Sequence, residues 1–268
     1  MNEIYRLFEE SKNFSTKYSK YFKIYEELFT SYKDRPITFV EIGVYNGGSL
    51  EIWKKFFNKE SRIIGIDINP ECKKLEEQGF EIFIGDQSKA NFWEDFFKKV
   101  GKVDIILDDG GHKNDQQIIT LVNCIKNINN GGLLAVEDTH TSYLKEFTNS
   151  EKYSFINFSK KLIDDINYTY PNLGNFKFSL NKYIYSMVFY ESFVVFRINT
   201  ERAKENTLVG NNSDEKSIKM LDTSLTERNK IEEKFKILFK FKPFRKILRI
   251  IHNLKRNQKN KNLRNFFK

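Results

Sequence analysis

The run ITFVEIGVYNGGSLEIWKKFF, residues 37–57, decides how the rest of the chain is read. ITFVEIG (37–43) reads as a strand and GSLEIWKKFF (48–57) as a helix, with a glycine-rich turn between them. Gly43, Gly47 and Gly48 let the backbone turn sharply and come close to a ligand. Their order, G-x-x-x-G-G, departs from the G-x-G-x-x-G of dinucleotide sites. A pyrophosphate needs a helix N-terminus laid open at the turn, whereas an uncharged adenosyl group with an amino-acid tail does not. Glu41 suits a nearby ammonium or sulfonium charge rather than a phosphate, and Tyr45 and Ser49 complete the expected lining.

Outward from this turn, strands and helices alternate. After the break at Pro36, RIIGIDI (62–68), FEIFIG (80–85), VDIILDD (103–109) and GGLLAVED (131–138) read as further strands. PECKKLEEQG (70–79), KANFWEDFFKKV (89–100) and NDQQIITLVNCIKNI (114–128) read as the helices between them. Such alternation predicts an α/β fold with a parallel, doubly wound sheet, and the apolar runs fit strands buried on both faces. NKYIYSMVFYESFVVFRINT (181–200) adds two strands joined at a tight turn near Glu191, so seven strands are expected, ending in an antiparallel hairpin. Residues 2–32 look helical, with Ile4, Leu7, Phe8, Tyr21, Tyr25, Leu28 and Phe29 at helical spacing. The expected layout is a helical extension over 1–35, the α/β domain over 36–200, a polar linker over 201–229 and a basic helical tail over 230–268. Within the domain, 141–180 is polar and aromatic with one helix at 155–166, and it is expected to cover the site.

Composition narrows the function. With 40% hydrophobic residues, the 268-residue chain can build a substantial core. No apolar run reaches the roughly 18–20 residues of a membrane span, and the acid-bearing N-terminus does not read as a secretory signal, which predicts a cytoplasmic protein. Cys72 and Cys124 are too few and too far apart for a disulfide framework or a zinc site. Residues 234–268 carry 13 Lys or Arg and no acid, so of the formal net charge of +9 the rest of the chain contributes −4. A mildly acidic body argues against nucleic acid as a partner.

The strand ends carry the chemistry. Asp67 closes the second strand, where an acid accepts hydrogen bonds from both ribose hydroxyls. Asp86, Gln87 and Ser88 follow the third, placed to reach an adenine edge. Any one of these also reads as a turn former or helix cap; together they favour an adenosine site. The fourth strand delivers Asp108, Asp109 and His112, and the fifth Glu137, Asp138 and His140. Side chains alternate along a strand, so Asp108 is expected to face the cofactor and Asp109 a metal. Asp109, Glu137 and Asp138 are hard oxygen ligands, suited to Mg²⁺, Mn²⁺ or Ca²⁺. Imidazole titrates near neutrality, so His112 suits a general base. An iron site of His112, Asp109 and His140 is the alternative, and a non-catalytic scaffold tethered by its tail is another.

FVEIGVYNGGSLEIWKKFF, IIGIDI, IGDQS, DIILDDGGH and GGLLAVEDTHTSY together resemble the metal-dependent sugar O-methyltransferases of the macrocin and mycinamicin type, over about residues 37–145 and more faintly to 198. The resemblance implies a Rossmann-like methyltransferase sheet, S-adenosylmethionine and Mg²⁺ as cofactors, and a sugar or glycan acceptor. A role in surface polysaccharide (capsule) or glycoconjugate biosynthesis would follow. It also implies metal ligation by Asp109, Glu137 and Asp138, with His112 as the base. Gly111 stands where the family has Ser, and His140 is a second departure. Relatives on this fold include hydroxylases, which keeps the iron alternative in play. The family often assembles through its N-terminal region, and the apolar face of residues 2–32 would permit a homo-oligomer.

Two expectations concern the periphery. Tyr143, Tyr153, Tyr168 and Tyr170 are placed to stack on a sugar ring or to pack the covering segment. KFKILFKFKPFRKILRIIHNLKR in the tail is a basic amphipathic helix, interrupted at Pro243, suited to the anionic inner membrane surface.

Overall fold

Both faces of the sheet are covered, each by its own layer of helices. A computed structural model of the chain describes residues 2–147, 151–167, 179–203 and 209–210. The chain divides into units Met1–Thr207 and Leu208–Lys268, and the sheet belongs to the first. Its strands are β1 Thr38–Ile42, β2 Arg62–Asp67, β3 Glu81–Ile84, β4 Val103–Asp108, β5 Ile128–Val136, β6 Ile184–Tyr190 and β7 Phe193–Ile198. They lie in the order β3-β2-β1-β4-β5-β7-β6, and β7 runs antiparallel to both β5 and β6. The expected seven-stranded, doubly wound sheet with a terminal hairpin is therefore present. Ile42 pairs with both Ile66 and Asp108, and Asp108 with Val136, so the strands end level with one another. Strand order reverses between β1 and β4, where ligands of open α/β sheets bind.

Strand alternation sorts the core. Phe39, Ile105, Leu107, Leu133 and Ala135 join one layer, with α1 (Glu3–Glu9), α2 (Tyr21–Phe29) and α3 (Gly48–Phe56). Val40, Ile42, Ile106, Leu134 and Val136 join the other, with α4 (Ala90–Val100), α5 (Asn114–Cys124) and α6 (Phe155–Ile166). Cys72 and Cys124 are free and buried. The helix opened by Pro70 and closed by Gly79 is a 3₁₀ helix, capped by Asn69 accepting from the Glu71 amide at 3.0 Å.

The N-terminal region differs from the expected continuous helix. α1 and α2 are separated by residues 10–20, which are not helical. Ser11, Asn13, Ser15, Thr16 and Ser19 are short polar residues that compete for backbone hydrogen bonds. The segment is held instead by α3: the Glu51 carboxylate accepts from the amides of Lys12 (3.0 Å) and Asn13 (3.2 Å). It lies so close that a Cβ on Gly48 would stand 2.4 Å from the Asn13 carbonyl oxygen, so only glycine fits there. The apolar face expected to support self-association is used within the chain. Tyr25 and Phe29 pack on Trp53, with ring centroids 5.2 and 5.4 Å apart.

Of the aromatic residues expected in the covering segment, Tyr143 and Tyr153 are exposed. Tyr168, Tyr170 and the basic tail lie outside the described residues. Among the described residues, no helix is long and apolar enough to cross a membrane.

Candidate active site

The alternation that buries Phe39, Leu107 and Ala135 toward α2 and α3 sends the next like-facing residues the same way. These are Glu41, Asp109 and Glu137, carried by neighbouring strands. The ladder continues past the strand ends, with the Asp109 amide donating to Ile42 (3.0 Å) and the Glu137 amide to Asp108 (2.9 Å). Three carboxylates thus stand side by side beneath the N-terminal helices. Glu41 and Glu137 are essentially inaccessible, at 0% and 1% exposure.

Like charges so close require a cation. Lys17, from the segment between α1 and α2, supplies one. Its ammonium lies 2.5 Å from Asp109 Oδ2, 3.2 Å from Glu137 Oε2 and 3.9 Å from Glu41 Oε1, with a side chain only 3% exposed. Burial opposes the lysine's charge, but the carboxylates of Asp109, Glu137 and Glu41 outweigh it and hold its pKa well above the usual range. Burial pushes the Glu41 carboxyl up to about 7 against the pull of Lys17. Burial and the Asp109 charge push Glu137 well up. Tyrosines complete the cover: Tyr25 donates to Glu137 Oε1 at 2.5 Å and Tyr21 to Asp138 Oδ1 at 2.6 Å.

Beside this cluster, His112 Nε2 stands 3.6 Å from Asp138 Oδ2 and 4.0 Å from Asp109 Oδ1. His112 and Asp138 both have left-handed backbones (φ 56° and 53°), a strained conformation that recurs at functional sites. Asp109, His112 and Asp138 can each offer one ligand atom within 4.8 Å of the others. Glu137, expected with them, is engaged by Lys17 and Tyr25. His140 Nδ1 lies 4.0 Å from Asp138 Oδ1, outside the group. One imidazole and two carboxylates do not make the two-histidine set of an iron oxygenase.

A cleft of about 470 Å³ runs over the strand ends from β2 to this acidic group. Gly43, Tyr45, Ser49, Asp67, Asp86 and Gln87 line one part, and Asp109, His112 and Asp138 the other. Gly43 (φ 85°) must be glycine, because a Cβ would meet the Asp109 carbonyl oxygen at 2.1 Å. Asp67 Oδ2 accepts from the amides of Val44 (3.0 Å) and Tyr45 (3.2 Å), tying the first turn to the second strand end. Hydrogen bonding from Ser88 holds the Asp86 carboxyl below the usual range, so it stays ionised. Four expected cofactor contacts do not line the cleft: Glu41, Gly47, Ser88 and Asp108. Glu41 lies beneath the floor because it faces Lys17, donated to by Ser49 Oγ at 2.8 Å. Asp108, expected toward the cofactor, points into the opposite layer because β4 alternates. There its Oδ1 accepts from Gln87 Nε2 (2.9 Å) and the Gly110 amide (3.2 Å), and burial pushes its carboxyl up to about 6.

The donor set fits a hard divalent cation. Its ligands are chiefly carboxylate oxygens, and an ammonium already occupies the space between Asp109 and Glu137. Sequence reasoning missed Lys17, Tyr21 and Tyr25 as site residues. Tyr21 and Tyr25 carried a signal, since two tyrosines one helical turn apart on a buried face must each find an acceptor. Lys17, in a polar stretch without periodicity, carried none.

No protein-family model matches the sequence. The chain is 31% identical over 163 residues to the 8-demethyl-8-alpha-L-rhamnosyl tetracenomycin-C 2'-O-methyltransferase of Streptomyces olivaceus, covering 57% of this chain and 43% of that protein. It is 32% identical over 130 residues to the mycinamicin VI 2''-O-methyltransferase of Micromonospora griseorubida, covering 46% of this chain and 32% of that protein. The chain is a relative of sugar O-methyltransferases. The resemblance carried by its motifs is thereby borne out, though the chain spans less than half the length of these relatives. Among solved structures, the fold matches MycE methyltransferase from the mycinamycin biosynthetic pathway, in complex with Mg and SAH. That match has a TM-score of 0.68 at 23% identity and covers 85% of this chain and 60% of that one.

Proposed function

We propose that the protein is an S-adenosylmethionine-dependent, Mg²⁺-assisted O-methyltransferase acting on a sugar hydroxyl, with His112 as general base. The observation that carries this reading is the continuity of the cleft. One space joins the glycine turn, Asp67 and Asp86 to Asp109, His112 and Asp138, so a methyl donor and a cation-held acceptor would share it. The relatives support the acceptor class: their names place methylation on rhamnosyl and mycinamicin hydroxyls. MycE was solved with Mg, SAH and mycinamycin VI.

S-adenosylmethionine supplies a methyl group on a sulfonium, and Mg²⁺ held by Asp109, Glu137 and Asp138 would polarise the acceptor hydroxyl. The chain's own residues orient and deprotonate. Asp67 binds the ribose hydroxyls and Asp86 faces the adenine edge, while the buried Gln87 amide braces the cleft from behind by donating to Asp108 and accepting from the Gly111 amide. His112 takes the hydroxyl proton on Nε2 as the oxygen forms its bond to the methyl carbon and the carbon–sulfur bond breaks. The products are a methyl ether and S-adenosylhomocysteine. Positioning dominates such a reaction, since in-line approach is the main requirement.

We further infer an acceptor in surface polysaccharide or glycoconjugate biosynthesis, with the enzyme in the cytoplasm and its basic 230–268 segment at the anionic inner leaflet. Vesicle co-sedimentation of the full chain and of one ending at residue 229 tests that location. Equal sedimentation would remove it.

The reaction is tested by titrating S-adenosylmethionine calorimetrically with and without Mg²⁺, then screening nucleotide sugars and glycans for methyl transfer. Binding followed by transfer to a sugar is expected. No S-adenosylmethionine binding would end the reading, and transfer to catechols alone would replace the acceptor class.

A further inference from the structure

We propose that Lys17 is a tethered cation of the acidic site. It holds Asp109 and Glu137 until a divalent cation takes their oxygens, and that exchange moves the cleft wall formed by Phe14, Ser15 and Thr16. The inference rests on the reading of Asp109, Glu137 and Asp138 as a cation site.

Residues 10–20 are packed the reverse of an ordinary surface segment. Phe14 and Tyr18 are 61% and 58% exposed, while the Lys17 side chain is buried to 3% exposure. Apolar groups outward and a charge inward is the costly arrangement unless the charge is the anchor. Asp109 divides its carboxylate: Oδ2 faces Lys17, and Oδ1 faces His112. Glu137 is drawn to the Lys17 side, which keeps it out of the group formed by Asp109, His112 and Asp138. Mg²⁺ requires oxygens at about 2.0–2.1 Å in near-octahedral order. An ion bridging Asp109 and Glu137 and the ammonium now between them would claim the same oxygens, and two adjacent cations repel. Once Lys17 is displaced, Glu137 is free to join Asp109 and Asp138.

The exchange reaches the cofactor side because Lys17 follows directly on Phe14, Ser15 and Thr16, which line the main cleft. The backbone of the segment is held at Lys12 and Asn13 by Glu51 and lies against Gly48 as far as Ser15, while Lys17 is the side chain that ties its later part to the acids, so Thr16 to Ser19 respond most directly.

The test uses the full chain, as wild type, Lys17→Met and Lys17→Arg, with Mg²⁺ affinity by calorimetry and amide hydrogen exchange of residues 14–19. Lys17→Met is expected to bind Mg²⁺ about tenfold more tightly or better, on the scale by which groups around a ligand set tune metal affinity. Lys17→Arg, which keeps the charge, should stay near wild type. Mg²⁺ should speed exchange over 14–19 in wild type and change nothing in Lys17→Met, where exchange is already fast. If Lys17→Met folds only with Mg²⁺, the Mg²⁺ concentration at its folding midpoint replaces the calorimetric reading and supports the exchange. Equal Mg²⁺ affinity in wild type and Lys17→Met, or unchanged exchange over 14–19 in wild type, overturns this inference and leaves the cation site standing. No Mg²⁺ binding by any of the three overturns both.

Discussion

Asp108 and Asp109 are consecutive residues at one strand end, and they meet opposite surroundings. Asp108 turns toward α4 and α5, where Gln87 and the Gly110 amide donate to it and where, among the described residues, it makes no ion pair. Asp109 turns toward the N-terminal helices, where an ammonium sits 2.5 Å away and a second carboxylate shares it. One side neutralises a buried acid by hydrogen bonding, the other by charge. The first arrangement bolts two loops together through Oδ1 but leaves Asp108 Oδ2 buried without a hydrogen-bond partner, in keeping with a carboxyl pushed up by burial. The second is provisional, because a mobile cation can replace a tethered one. Strand alternation thus divides a doubled carboxylate between framework and chemistry.

The largest expected effect lies on the Asp109 side. His112→Ala should lower kcat by about 10²–10⁴-fold, the usual worth of a positioned base, while leaving the Mg²⁺ dissociation constant unchanged in calorimetry. A parallel loss of Mg²⁺ affinity would make His112 a ligand and draw it into the cation's half of the contrast.

Tyr25→Phe comes next. It leaves Glu137 Oε1 without its donor in a dry site, which costs about 3 kcal/mol, toward the upper end for a charged acceptor. Denaturant unfolding should register that loss. An unchanged midpoint would mean that Lys17 alone satisfies Glu137.

The smallest effect belongs to Asp108. Asp108→Asn keeps an acceptor for Gln87 and Gly110. Wild type carries a carboxyl raised to about 6 in the fold, against about 3.9 in an unfolded chain. The folded state therefore favours the protonated form, and wild type loses stability as pH climbs from about 4 through about 6. Asp108→Asn should match wild type near pH 4 and exceed it by of order 1 kcal/mol at pH 7. Urea midpoints at the two pH values measure this, and a wild type that gains on the variant as pH rises would show a cation on the Asp108 side as well.

Much of the frame was legible in the sequence because it rests on local patterns. Apolar runs located β1 to β4 to within a residue of their observed ends, the run 181–200 contained both strands of the hairpin, and α6 lies at its expected limits. β5 was the exception: it begins at Ile128, before Gly131 and Gly132, where a helix had been expected to continue. The acids at the strand ends were also legible, because alternation fixes which way each faces. Glu41 and Asp108 were misplaced despite this. Glu41 was read as a cofactor contact because of its nearness to Gly43, although it shares a face with Phe39, which is buried against α2 and α3, and Asp108 was assigned to the cofactor although it shares a face with Ile106 in the opposite layer. What could not be read was the partner of the acids. Lys17 meets Asp109 across a separation of 92 residues and Glu137 across 120, and nothing in a short polar stretch announces a contact that distant.

The edge-on packing of Tyr25 and Phe29 against Trp53 bears on inheritance. A chain beginning at residue 36 would lose three things together: the hydrophobic cover of β1 and α3, the hydroxyls on Glu137 and Asp138, and the ammonium between Asp109 and Glu137. A joint placed between the sheet and its N-terminal helices would uncover the apolar face of β1 and α3 and, in the same cut, take the cation from between Asp109 and Glu137.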